Sequence, residues 1–107
     1  MSDQSNAVTR TTMLKAATSP AVSNWCLLGR DSSTVQVTLV GDGEITAEVD
    51  VEYGNDGIGA LLGIGYSLSG TTVVSEGDEV SGRWAYIRTN LKEITGTNAA
   101  LTSTMGS

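Results

Sequence analysis

The sequence predicts an all-β protein, a single-domain, jelly-roll-like β-sandwich of about seven or eight short antiparallel strands. Three observations predict it. Two-residue alternation runs through Thr34–Val40, where Val35, Val37 and Leu39 oppose Thr34, Gln36 and Thr38, and through Glu44–Tyr53. Thirteen glycines punctuate the chain, in clusters such as Gly41-Asp42-Gly43 and Gly54-Asn55-Asp56-Gly57, which is the turn chemistry of an all-β domain. Valine and threonine are abundant and no stretch carries a helical period. A chain of 107 residues makes one domain large enough to bury a core without cross-links. The expected division is a polar N-terminal arm, residues 1–10, and a single sandwich domain, residues 11–107.

The arm, MSDQSNAVTR, has too few apolar groups to order itself, so its order would come from a neighbouring subunit. Thr11–Ala16 reads as a first strand ended by Thr18-Ser19-Pro20, and Asn24–Gly29 as a second without clean alternation. Val35, Val37 and Leu39 then share one face of the third. After a turn at Gly41–Gly43, Glu44–Tyr53 places Ile45, Ala47, Val49, Val51 and Tyr53 inward and Glu44, Glu48, Asp50 and Glu52 outward. Gly54–Gly57 turns that strand into a hairpin partner, Ala60–Ser69, with Leu62, Ile64, Tyr66 and Leu68 assigned inward. Gly59, Gly63 and Gly65 there suggest a bulge or a close backbone approach. Thr71–Ser75 is a further short strand, and Glu76–Glu79 an acidic loop.

The closing stretch reads as a hairpin, Trp84–Leu91 and Ala99–Met105, joined at Thr95-Gly96-Thr97-Asn98. Its first strand alternates Trp84, Tyr86, Arg88 and Asn90 against Ala85, Ile87, Thr89 and Leu91, and neither set is purely polar. Both faces should therefore be covered, the outer one by a neighbouring subunit.

Composition restricts function more than it defines it. Six basic and twelve acidic residues give a net charge of −6, which repels phosphate backbones and argues against nucleic acid. Histidine is absent, removing the commonest general base and zinc ligand. Cys26 is the single cysteine, so no intrachain disulfide forms, and its apolar neighbours mark it as a small core residue. No apolar run reaches the ~20 residues of a membrane span, and the amino terminus lacks a signal-peptide core. Expression in a cytoplasm and no membrane partner follow as expectations.

Candidate chemistry is sparse. Glu48, Asp50 and Glu52 lie on one strand face about 7 Å apart, a spacing open to paired-carboxylate glycan hydrolysis. Alternating acids on a strand are more often a solvated face or the partners of neighbouring cations, and Arg83, Arg88 and Lys92 are available to pair with them across strands or between subunits. Asp42 and Glu44, or Asn55 and Asp56, could offer oxygens to calcium, but turn chemistry accounts for them without it. Trp25, Trp84 and Tyr66 could make an aromatic platform for a sugar, with core packing as the simpler fate. The expectation is no catalytic residue, no metal and no cofactor.

The order of these pieces is informative. GDG at Gly41–Gly43, EVDVEYGNDG at Glu48–Gly57, LSG at Leu68–Gly70, WAYIR at Trp84–Arg88, ITGTNA at Ile94–Ala99 and MGS at Met105–Ser107 resemble the small β-sandwich virion structural proteins of tailed bacteriophages, over roughly residues 34–107. The family pattern carries a Trp after the SNDG-like turn, where this chain has Gly59-Ala60-Leu61. The resemblance implies a non-enzymatic virion protein made in the bacterial host cytoplasm. It would be an oligomer, most often a trimer, acting as a head decoration or cement protein bound to another virion protein such as the major capsid protein. The alternative it implies is a tail, collar or fibre component that binds a receptor or carbohydrate. Candidate subunit or capsid contacts are Arg10, Trp84, Tyr86, Arg88 and Lys92.

Overall fold

The computed structural model describes residues 10–28, 33–80 and 84–106; the arm before Arg10, Gly29, Arg83 and Ser107 lie outside them. Six strands form one antiparallel sheet: β1 (Arg10–Ala17), β2 (Ala21–Val22), β3 (Cys26–Leu27), β4 (Ser33–Gly54), β5 (Leu61–Val80) and β6 (Tyr86–Gly106). The order is β1-β6-β4-β5, and β2 and β3 also pair with β6.

All-β antiparallel architecture is as expected, but the strand count among the described residues differs: six strands, three of them with 22, 20 and 21 residues. A straight strand of that length would run about 70 Å, whereas the molecule measures 40 × 40 × 18 Å. Each long strand bends at a residue in the left-handed region: Gly43 in β4 (φ 92°), Thr72 in β5 (φ 62°), and Gly96 (φ 136°) with Asn98 (φ 55°) in β6. The ladders slip at the same places, between Val40 and Glu44 toward β5 and between Val40 and Thr46 toward β6. Two contacts show the halves folded face to face. The Tyr66 hydroxyl donates to Asp78 Oδ2 at 2.9 Å, although twelve positions along a straight strand would separate them by about 40 Å. Thr89 Oγ1 donates to Met13 Sδ at 3.5 Å, although β1 pairs with the far half of β6.

Three segments differ from their sequence expectation. Gly41–Gly43 and Thr95–Asn98 are bends within continuing strands, so the closing hairpin is one bent strand. Its halves pair with β4, Tyr86–Ile94 with Gly54–Ala47 and Ala100–Gly106 with Val40–Thr34, and not with each other. Glu76–Glu79 is not a loop but the end of β5, paired with Thr34–Val37. A left-handed Gly or Asn serves a hairpin turn and a strand bend equally. Only the strand running alongside decides which one forms.

The Glu44–Tyr53 strand and its partner do form a hairpin at Gly54–Gly57, where Asp56 Oδ1 accepts from the backbone N–H of Ile58 (2.8 Å) and Gly59 (2.9 Å). Those two bonds hold the Asp56 carboxyl below its ordinary value. The bulge sits at Gly63: the ladder steps from Val51↔Ile64 to Glu52↔Leu62. A Cβ on Gly63 would run into the Tyr53 ring. One skipped residue inverts the alternation, so Leu62 lies opposite outward-facing Glu52 and is exposed, correcting its inward assignment.

The core lies between the facing halves. Val35, Val37 and Leu39 come from one half of β4 and Ile45, Ala47, Val49 and Val51 from the other, packed with Leu68, Ile87, Leu91, Leu101 and Met105. Two buried hydroxyls fasten the short elements to β6: Ser103 Oγ accepts from Leu14 N at 3.1 Å, and Ser23 Oγ from Thr89 N at 3.0 Å. Cys26 is half-buried, and burial pushes its thiol up.

Thr72 is exposed and β-branched, and a left-handed φ costs such a residue roughly 1–2 kcal/mol. Thr72→Asn should therefore stabilise the protein by about 0.5–1 kcal/mol, read as a rise of roughly 3–6 °C in the calorimetric midpoint. An unchanged or lower midpoint would show that the bend stores no strain.

Candidate interaction surface

The outer face of the second half of β4 carries the acids, and β6 lays its cations beside them. Glu52 is opposite Arg88 and Asp50 opposite Asn90. Arg88 Nε donates to Glu52 Oε1 at 2.7 Å and Asn90 Nδ2 to Oε2 at 3.2 Å. Lys92 Nζ lies 3.5 Å from Asp50 Oδ2, and the Ser67 hydroxyl donates to Glu48. Of the three carboxylates expected to be a solvated face or the partners of neighbouring cations, Glu52 and Asp50 are thus paired with cations and Glu48 with a hydroxyl. The Arg88–Glu52 pair is the best shielded, with side chains 26% and 15% exposed, and the wetter Lys92–Asp50 pair contributes little.

Trp25 covers this row. Its ring centroid is 4.4 Å from the Arg88 guanidinium carbon, a cation–π geometry. It also meets Tyr86 edge-on, with centroids 6.3 Å apart and planes at 65°. Cover for the outer face therefore comes in part from the chain itself. The residues before β3 bring Trp25 there, and NWCLLG carries no alternation that could have announced it. Trp84 precedes β6 and turns the other way, stacking on Tyr53 at 6.2 Å and 28°. Tyr66, proposed with the tryptophans as a platform, is buried. Exposed Leu27 pairs with Tyr86, and Ile58, Leu61 and Leu62 stand exposed around the hairpin tip.

Of the five candidate contacts, Tyr86, Arg88 and Lys92 share this outer face. Trp84 belongs to the core margin, and Arg10 stands on β1, exposed, in the facing half of the sheet opposite Gly106. Of the oxygens considered for calcium, Asp56 Oδ1 is taken by its own turn, and Asp42 Oδ2 accepts from Asn98 Nδ2 at 2.6 Å. An open groove on the other half of the sheet is lined by Thr34, Gln36, Ser75, Glu76, Gly77 and Asp78. Gln36, Thr38 and Ser75 are hydrogen-bonded to one another across it.

Tyr66 titrates with the fold. Burial, and then its hydrogen bond to Asp78, push the phenol above its ordinary value of 10.0. Its contribution to stability is complete below pH 10 and is lost above it, because the unfolded chain releases the proton first. The denaturation midpoint should fall as pH rises past about 10, and fall less steeply in Tyr66→Phe. Identical slopes would assign the alkaline loss elsewhere. Tyr53, raised by burial and by Asp78, and Cys26, raised by burial, contribute to the remaining slope.

No protein-family model matches the chain, and no curated protein matches it in sequence. Among solved structures, the fold is similar to the crystal structure of the SPBc2 prophage-derived protein YomS, with a TM-score of 0.62, 16% identity and 94% of each chain covered. At that identity the likeness is one of fold: an all-β antiparallel chain laid out from end to end as in the prophage-derived protein.

Proposed function

We propose that this chain is a non-enzymatic structural protein of a tailed-bacteriophage particle, most specifically a capsid decoration or cement protein. In this reading a jelly-roll-like two-layered unit, made in the host cytoplasm, assembles as a homotrimer and stabilises the head through contacts with the major capsid protein. The observation that carries the reading is the end-to-end fold similarity to a prophage-derived protein. The closing-strand pattern WAYIR…TGT supports it from the sequence. The test is mass spectrometry and electron cryomicroscopy of purified particles, with heat challenge of particles lacking the chain. Density on the head lattice and lowered heat tolerance are expected. Density confined to the tail tip, or unchanged tolerance, would remove the cement role.

One observation favours a second reading, a tail, collar or fibre component that binds a receptor glycan. Trp25 and Tyr86 are half-buried on the outer face beside Arg88, an aromatic arrangement suited to a sugar ring. Titration with host surface glycans would then change the Trp25 emission, and Trp25→Phe would abolish the change.

A further inference from the structure

Two edges of one half-sheet carry opposite charge. In the half formed by β1, the end of β6, the start of β4 and the end of β5, the outermost strands among the described residues are β1 and β5. Strand β1, RTTMLKAA, holds Arg10 and Lys15 and no acid. The end of β5 holds Glu76, Asp78 and Glu79 and no cation. All five are exposed. Among the described residues none of them forms an ion pair, whereas Arg88 and Lys92 are both paired. The ladders place Arg10 and Glu79 in a common row and Lys15 one row from Glu76. One row runs Arg10, Gly106, Thr34, Glu79, and another runs Leu14, Ser103, Val37, Glu76, with Lys15 next to the latter.

The direction of the strands agrees. Four alternating strands leave β1 and β5 antiparallel to each other, so a second copy set beside the first in the same orientation brings its β1 antiparallel to β5. The sheet order then continues without interruption. Two β5 ends joined to each other would instead set three acids against three acids, and two β1 strands would oppose their cations, an arrangement that costs several kcal/mol.

We propose that the edge of β5 at Glu76–Glu79 receives the β1 edge of another copy of this chain, head to tail, with Arg10 against Glu79 and Lys15 one row beyond Glu76. Such a heterologous contact closes into a ring when the rotation per copy allows it. The proposal names the surface for the self-association assumed above, but it stands on the edges alone.

Charge reversal tests it in the purified full chain by native mass spectrometry and light scattering. Arg10→Glu and Glu79→Arg should each weaken association by about tenfold or more, with far-ultraviolet circular dichroism and melting midpoint unchanged. Mixing the two variants, or joining them in one chain, should restore it. A wild-type chain that stays monomeric at about 100 µM overturns the proposal, as do variants that associate like wild type, which would point to the uncharged stretch 61–75 of β5 instead. A monomeric chain still found in phage particles would sink this contact and leave the virion reading standing.

Discussion

Gly96→Val should destabilise the protein by about 3–5 kcal/mol, a fall of roughly 15 °C or more in the melting midpoint. Gly96 stands at φ 136° where β6 bends, a region that side-chain-bearing residues enter only at a cost of about 1–3 kcal/mol. Space is also lacking. A Cβ there would stand 2.7 Å from Ile45 Cγ2 and 2.9 Å from the Glu44 carbonyl oxygen. Ile45 is 1% exposed, so it cannot swing into solvent, and the carbonyl belongs to the β4 backbone. The relief available is a shift of one bend against the other, which would pull both halves of β6 out of register with β4. Thr97→Val, one residue along on the exposed side, should change stability by less than about 0.5 kcal/mol. Comparable losses for the two variants would show that the bend tolerates a side chain.

That bend also marks where reading from sequence stops. The alternation of Val35, Val37 and Leu39, and of Ile45 through Tyr53, identifies the inward face of β4 because a strand with one wet face must alternate. The same logic sorts Ile87, Thr89 and Leu91 from Tyr86, Arg88 and Asn90, and Ala99, Leu101 and Met105 from their neighbours. The hairpin at Gly54–Gly57 is legible because it demands residues that tolerate positive φ and local hydrogen bonds. Continuity of the long strands is not legible, since Gly41–Gly43 and Thr95–Asn98 have the composition of turns and become bends only because β5 and β6 run on beside β4. Leu62 is misassigned because Gly63 drops out of the ladder and inverts the alternation. At the surface, Arg88 and Lys92 are recognisable as partners for the acids by charge and strand position. Trp25 over Arg88, and Tyr66 on Asp78 within one folded strand, are products of the three-dimensional fold-back that no local pattern records.

Leu101→Ala should cost about 2–5 kcal/mol, a fall of roughly 10 °C or more in the melting midpoint, and the loss should be seen equally by probes far from the site. Leu101 is fully buried, opposite Leu39 in the half of the sheet that β1 closes. Both tryptophans report on the other half: Trp84 stacks on Tyr53 and Trp25 lies over Arg88. Were the halves independent hairpins, removing the Leu101 side chain would lower the circular-dichroism transition of its own half and leave tryptophan emission unmoved. The fold-back instead gives both halves one core, in which Leu101 and Leu91, ten positions apart on one strand, belong to the same buried cluster. A cavity opened on either side is then felt by the whole unit, as expected of a single cooperative transition. Emission and circular dichroism should shift together in Leu101→Ala and again in Leu91→Ala. Separation of the two midpoints in either variant would mean that the bends connect two cores instead of enclosing one.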